Sequence, residues 1–258
     1  MEAAASSIED FGIMLCIKKA KGYSVEKQLE LLDELADQGV NALAITPIND
    51  RLIAEKLNTH AAKIPAVVFN SDIEAVKKLA FIGSDYYKSG RVAGELLGKI
   101  TQGSCNVGII TGSVKMSGHN DRIRGFSDVV KQDCPLIAVT DIEENNDDEQ
   151  TSYEVTKKML TSVHGLSALY FTAGGVEGGL RAVHELGLDG VLNIITFDAT
   201  PVIKRNLENG IISFTICQQP YRQGYLPVRM LADYLVSGIK PVSEYDYMDI
   251  EIKLKNNI

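Results

Sequence analysis

The chain has 258 residues, 45% hydrophobic and 23% charged, which is enough apolar material for one large domain or two smaller lobes and argues against disorder. With 34 acidic against 26 basic residues its formal charge is -8, so it has no overall attraction for phosphate backbones or anionic lipid. Cys16, Cys105, Cys134 and Cys217 are far apart with no CxxC pair, as reduced structural thiols are.

Neither a run of about 20 apolar residues nor the basic start of a signal peptide is present. As it stands the chain reads as cytoplasmic, although removal of a leader would leave the same sequence.

Taken in order, IMLCI (13–17), ALAI (42–45), AVVF (66–69), LAFI (79–82), NVGII (106–110), LIAVTDI (136–142), ALYF (168–171), NIITF (193–197) and SFTIC (213–217) are short, continuous apolar runs. Continuity rather than alternation predicts strands buried on both faces. Amphipathic segments lie between most of them. SVEKQLELLDELADQG predicts a helix with Val25, Leu29, Leu32 and Ala36 on one stripe, Ser24 as N-cap and Gly39 at its end. Such alternation predicts an α/β fold of parallel sheets with helices on both sides. This many strands in so short a chain favours two doubly wound, Rossmann-like lobes over one long sheet.

The runs end in polar residues: Asn70-Ser71-Asp72, Gly83-Ser84-Asp85, Thr172-Ala173-Gly174, Asp198-Ala199-Thr200 and Gln218-Gln219. In parallel α/β sheets the carboxyl ends of strands meet the ligand, and these side chains suit a polar, uncharged one. Catalytic signatures are missing. TAGGVEGGL is not GxGxxG, no GxxxxGK[ST] or GxSxG occurs, and His60, His119, His164 and His184 have no metal-ligand spacing. Binding without catalysis, cofactor or metal is the economical expectation. His119 caps its loop or touches ligand; the sequence does not choose.

The segments EKQLELLDELADQGVNALAITP, IPAVVFNSD, FIGSDYYKSGRVAGELL, SGHNDRIRGF, IITFDATP and ICQQPYRQGYLPVRMLADYLVSG together resemble the type I periplasmic binding fold and, within it, the effector domains of LacI-type transcriptional regulators. The resemblance implies lobes of residues 1–84 plus 219–243 and 85–218 plus 244–258, joined by a hinge of about three strands. A small neutral carbohydrate or polyol would lie in the cleft between them. Arg122 in RIRGF matches the family arginine that grips ligand hydroxyls, with surface pairing to Asp121 or Asp128 as the alternative. Asp198 matches the carboxylate that accepts from two hydroxyls; otherwise it is a turn residue before a helix capped by Thr200. Asn70 stands where sugar-binding relatives often carry an aspartate. Gln218 is a ligand contact or a hinge residue, Asp147 a ligand contact or a helix cap, and Asn145 a weaker candidate.

Ala173 replaces a polar amide, leaving Thr172 as the nearest hydroxyl. Tyr221 and Phe171 are core residues or stacking platforms. MEAAASSIED matches the fold's first helix without its first strand, so the natural protein is expected to extend upstream. The regulator reading implies a homodimer, DNA contact through a headpiece outside this chain, and no membrane. Its alternative is the solute-binding receptor of a sugar transporter, monomeric and extracytoplasmic.

Overall fold

A computed structural model describes residues 2–20 and 22–258. Its strands are β1 (Leu43–Ile45), β2 (Ala66–Phe69), β3 (Ala80–Ser84), β4 (Ser104–Thr111), β5 (Leu136–Glu144), β6 (Ala168–Phe171), β7 (Asn193–Phe197), β8 (Phe214–Cys217), β9 (Tyr245–Met248) and β10 (Glu251–Lys253). Its helices are α1 (Glu2–Ser6), α2 (Val25–Asp37), α3 (Arg51–Ala61), α4 (Tyr86–Ile100), α5 (Ser117–Asp133), α6 (Glu149–Ser162), α7 (Val176–Glu185), α8 (Pro201–Glu208) and α9 (Pro220–Ser237).

Local chemistry sets the helix ends. The Ser24 hydroxyl accepts the Lys27 N–H at the start of α2, and Gly39 takes a left-handed φ of 69° past its end. Leu32 is buried, Val25 and Leu29 are half-buried, and Ala36 is exposed while Leu35 turns inward in its place.

The chain divides into two units. Unit 1 holds Met1–Ser84, Lys115–Ser117 and Gln219–Asp249, with a parallel sheet in the order β1-β2-β3-β9. Unit 2 holds Asp85–Val114, Gly118–Gln218 and Ile250–Ile258, with a sheet in the order β10-β8-β7-β6-β4-β5. Only β10 runs antiparallel in it, against β8. Each apolar face of that sheet is covered. On one side Ala93 and Leu97 of α4 and Phe126, Val129 and Val130 of α5 pack on Val107, Ile109, Tyr170 and Ile195. On the other, Met159, Leu180, Val183, Ile203 and Leu207 from α6, α7 and α8 pack on Ile110, Leu169, Phe171 and Ile194. Helices on both faces of a parallel sheet make this the expected doubly wound α/β architecture.

Three elements depart from the predicted pattern. Residues 13–17 form no strand; Ile13 and Leu15 pack toward Ala4, Ile8, Val228 and Ala232, while Met14 is 95% exposed. That run is apolar throughout, but only one side finds a partner. LIAVTDI lies within β5, yet β5 is the sheet's edge, and Leu136 and Ile142 are exposed. YDYM and EIK, which carry no continuous apolar run, become β9 and β10.

Candidate functional site

The unit 2 strands β4 to β8 run parallel, so their carboxyl ends lie on one side of the sheet. At the end of β7 the chain turns through Asp198, whose φ is 66°, a region only glycine enters freely, with Asp and Asn enriched among the rest. The turn is fixed by hydrogen bonds. Asp198 N–H donates to the Ile216 carbonyl at 2.9 Å, and the Asp198 carbonyl accepts the Thr215 hydroxyl at 2.7 Å. Thr200 caps α8 by accepting the Ile203 N–H, and Pro201 is its first residue. Capping is therefore done by Thr200, which leaves the Asp198 side chain for other work.

Arg122, on α5, is 4% exposed. One Nη donates to the Thr172 carbonyl, the other to Gln218 Oε1 at 2.7 Å. Gln218 in turn donates from Nε2 to Asp198 Oδ2 at 3.0 Å. The glutamine thus joins the two charges, its carbonyl facing the guanidinium and its amide facing the carboxylate. The guanidinium carbon lies 3.8 Å from the Phe197 ring centroid and 4.7 Å from that of Tyr86, so two aromatic faces hold the plane in place. Surface pairing falls instead to Arg124, which meets Asp121 at 2.8 Å.

Two buried polar atoms in this group have no hydrogen-bond partner: Asp198 Oδ1 and Arg122 Nε. Burial raises the Asp198 pKa above the ordinary carboxylate value, with Arg122 and Gln218 opposing it. A carboxylate oxygen without a donor in a desolvated place is a costly arrangement that a ligand hydroxyl relieves.

The ends of β5 and β6 form a second group. Asn145 is fully buried, donating to the Gly174 carbonyl at 2.8 Å and accepting the Asp147 N–H at 2.9 Å, so it braces the loops. Asp147 has a φ of 56° and its Oδ1 accepts the Gly174 N–H at 2.8 Å; the α6 cap is Asp148. His119 Nδ1 lies 3.1 Å from the Ser113 N–H nitrogen. Burial, then Arg122, pulls its pKa down to about 4. A Cβ placed on Gly112 would lie 2.5 Å from His119 Cε1, 2.7 Å from Asp147 Oδ1 and 2.9 Å from Ala173 Cβ; glycine there lets all three converge.

Arg122, Asp198 and Gln218 are therefore joined directly, and Asp147 shares unit 2 with them. Asn70 belongs to unit 1, exposed after β2 with a φ of 63°. The Thr172 hydroxyl is occupied by Thr111 at 2.8 Å, and it is the Thr172 carbonyl that serves Arg122. Phe171 is fully buried in the core, and Tyr221 is 67% exposed in unit 1. Sequence reasoning missed Phe197 and Tyr86 as clamps on Arg122. Their signal was an aromatic residue directly before Asp198 and directly after Asp85.

Comparison with known proteins identifies the frame. A family profile described as periplasmic binding protein domain matches residues 1–239. The xylose/arabinose-binding protein XylF of Sulfolobus acidocaldarius is 27% identical over 225 residues, 80% of this chain and 54% of its own length. The D-ribose/D-allose-binding protein of Pseudomonas aeruginosa is 26% identical over 228 residues, 85% of this chain and 70% of its own. The crystal structure of GanP, a glucose-galactose binding protein from Geobacillus stearothermophilus, superposes with a TM-score of 0.91 at 27% identity, covering 100% of this chain and 92% of that one.

These relatives correct the reading as a LacI-type regulator: they are named as sugar-binding proteins, and further relatives are named for import. The homodimer and the DNA contact implied by that reading lose their support with it. The chain belongs to the periplasmic binding protein domain family.

Proposed function

We propose that this chain is the solute-binding receptor of a sugar importer, holding a neutral pentose or hexose without altering it. Arg122, Asp198, Gln218 and Asp147 of unit 2 take the ligand at the carboxyl ends of the strands. The observation that carries the reading is the buried, partnerless Asp198 Oδ1 beside a clamped guanidinium. An acceptor there and a fan of fixed donors from Arg122 match adjacent hydroxyls, each of which both gives and accepts a hydrogen bond. The sugar-binding names of the relatives support the ligand class. On this reading the chain's partner is an ABC-type transporter and it works outside the cytoplasmic membrane, which the import names of several relatives support. Among the described residues no helix is long and apolar enough to cross a membrane.

A thermal-shift panel tests this. Ligand that binds only the folded chain stabilises it by about 2.7 kcal/mol at 100 times Kd, which raises Tm by several degrees. Neutral aldoses are expected to give that rise, with sugar phosphates, uronic acids and nucleotides giving none. A rise only with the charged compounds contradicts the proposal.

A further inference from the structure

Cys105 and Cys134 stand apart in sequence by most of β4 and all of α5, yet unit 2 folds them to one end of α4. Cys105 pairs in register with Ile137 of the neighbouring strand β5, and strands in a sheet lie about 4.8 Å apart. The Ile137 N–H donates to the Cys134 carbonyl at 2.9 Å, so a tight turn returns Cys134 beside that same residue. Both side chains pack, half-buried, on one core cluster with Leu97, Val107 and Ile137. On α4, a Cβ at Gly98 would lie 2.5 Å from Cys134 Sγ, and the Cys105 thiol hydrogen-bonds with the side chain of Thr101. Gly98 and Thr101 are three residues apart, neighbours about 5–6 Å from each other on a helix surface. The two sulfurs therefore sit side by side along the last turn of α4, both as free thiols.

We propose that Cys105 and Cys134 are a redox pair that closes to an intramolecular disulfide by exchange with a small disulfide such as oxidised glutathione. Cys134 is the sulfur that meets the reagent, because it lines a hollow of about 390 Å³ together with Gly94, Gly98, Lys99 and Asp133. Burial raises the Cys105 pKa against the Thr101 hydrogen bond, and the charge of Cys134 adds to the rise, so Cys105 is the second to act. The Cys134 thiolate attacks one glutathione sulfur, forming a mixed disulfide and releasing one glutathione thiolate; Cys105 then attacks Cys134 Sγ and releases the other. Two cysteine thiols lose two electrons and two protons, and one glutathione disulfide becomes two glutathione thiols. The link ties the α4–β4 turn to the α5–β5 turn and closes α5, the helix of Arg122, into a covalent loop. No step of this chemistry involves the sugar, so it stands apart from the reading above.

The test uses the full chain with Cys16→Ser, which removes the exposed thiol. It is equilibrated in glutathione buffers of graded oxidation, quenched with acid, and analysed by thiol counting in denaturant and by peptide mass mapping. Two of the three remaining thiols should be lost, with Cys105 and Cys134 recovered in one linked peptide pair. Tm should rise by several degrees on oxidation and return on adding dithiothreitol. Cys105→Ser in the same background should stop at a glutathione adduct on Cys134 and show no such rise.

No Cys105–Cys134 link at any buffer ratio, with single adducts or unreacted thiols instead, overturns the proposal, as does a link that forms only in urea or joins other cysteines. If Cys105→Ser does not fold, the peptide map and the reversible Tm shift of the Cys16→Ser chain decide. A chain that forms the link but binds no neutral sugar supports this pair and removes only the sugar-binding reading.

Discussion

Asp198 accepts one side-chain hydrogen bond, from Gln218, while its other oxygen is buried without a donor. Its raised pKa, caused first by burial, fixes the sign of two predictions. Between the carboxylate value of the unfolded chain and the raised folded value, the folded state binds more protons, so this group's contribution to stability falls as pH rises. Asp198→Asn should therefore raise Tm of the sugar-free protein at pH 7, by about 2–4 °C for roughly 1 kcal/mol. That gain should disappear in acid, where both proteins are uncharged at this position; calorimetric scans at several pH values check it. Ligand hydroxyls donate more strongly to the ionised form, so sugar affinity should fall as pH drops through the raised pKa.

His119 acts in the opposite sense. Its pKa is lowered from 6.5 to about 4, so between those values the unfolded chain binds more protons and stability rises with pH. His119→Gln should flatten the loss of urea stability between pH 6.5 and 4 by an amount on the order of 3 kcal/mol. Asn70 and Asp198 stood out in the sequence as polar residues directly after an apolar run, whereas Asp147 lies beyond EENN and was singled out only by the family resemblance. All three adopt left-handed backbone, with φ of 63°, 56° and 66°, which Asn and Asp tolerate better than most residues. The Gln218 bridge was not legible, since it joins residues 96 apart in sequence through a contact made only by folding.

Among the elements, α4 and α5 set the position of Arg122. They approach so closely that a Cβ on Gly90 would run into the Arg122 carbonyl, and one on Gly125 into that of Tyr87. Both obstacles are backbone, so neither can rotate aside. Gly90→Ala should cost about 1–3 kcal/mol in urea denaturation and weaken sugar binding by displacing Arg122. At this scale periodicity served well for the strands of the two sheet interiors, whose apolar runs are continuous because helices cover both faces. It misled at residues 13–17, which form no strand, and at 136–142 it gave the strand but not its half-exposed place at the sheet edge. It was silent on β9 and β10, whose short polar sequences hold no such run.

At the scale of the whole molecule, four of the five candidates read from the sequence, Arg122, Asp147, Asp198 and Gln218, belong to unit 2, while Asn70 is a residue of unit 1. The two-lobed α/β plan was readable from alternating runs and helices. What such a protein is for was not, since a regulator's effector domain and a transport receptor need the same polar strand ends to hold the same sugar. The relatives, named as sugar-binding and import proteins, weigh against the regulator where site chemistry could not.

The central claim, that the Asp198 carboxylate is an acceptor for a neutral sugar, is tested most directly by calorimetric titration of the chain and of Asp198→Asn with neutral pentoses and hexoses at pH 7. The account predicts one-to-one binding of at least one such sugar and a loss of about 10- to 100-fold in the variant, the worth of a hydrogen bond to a charged group. No binding by the unmodified chain, or affinities within about threefold of each other, would contradict it.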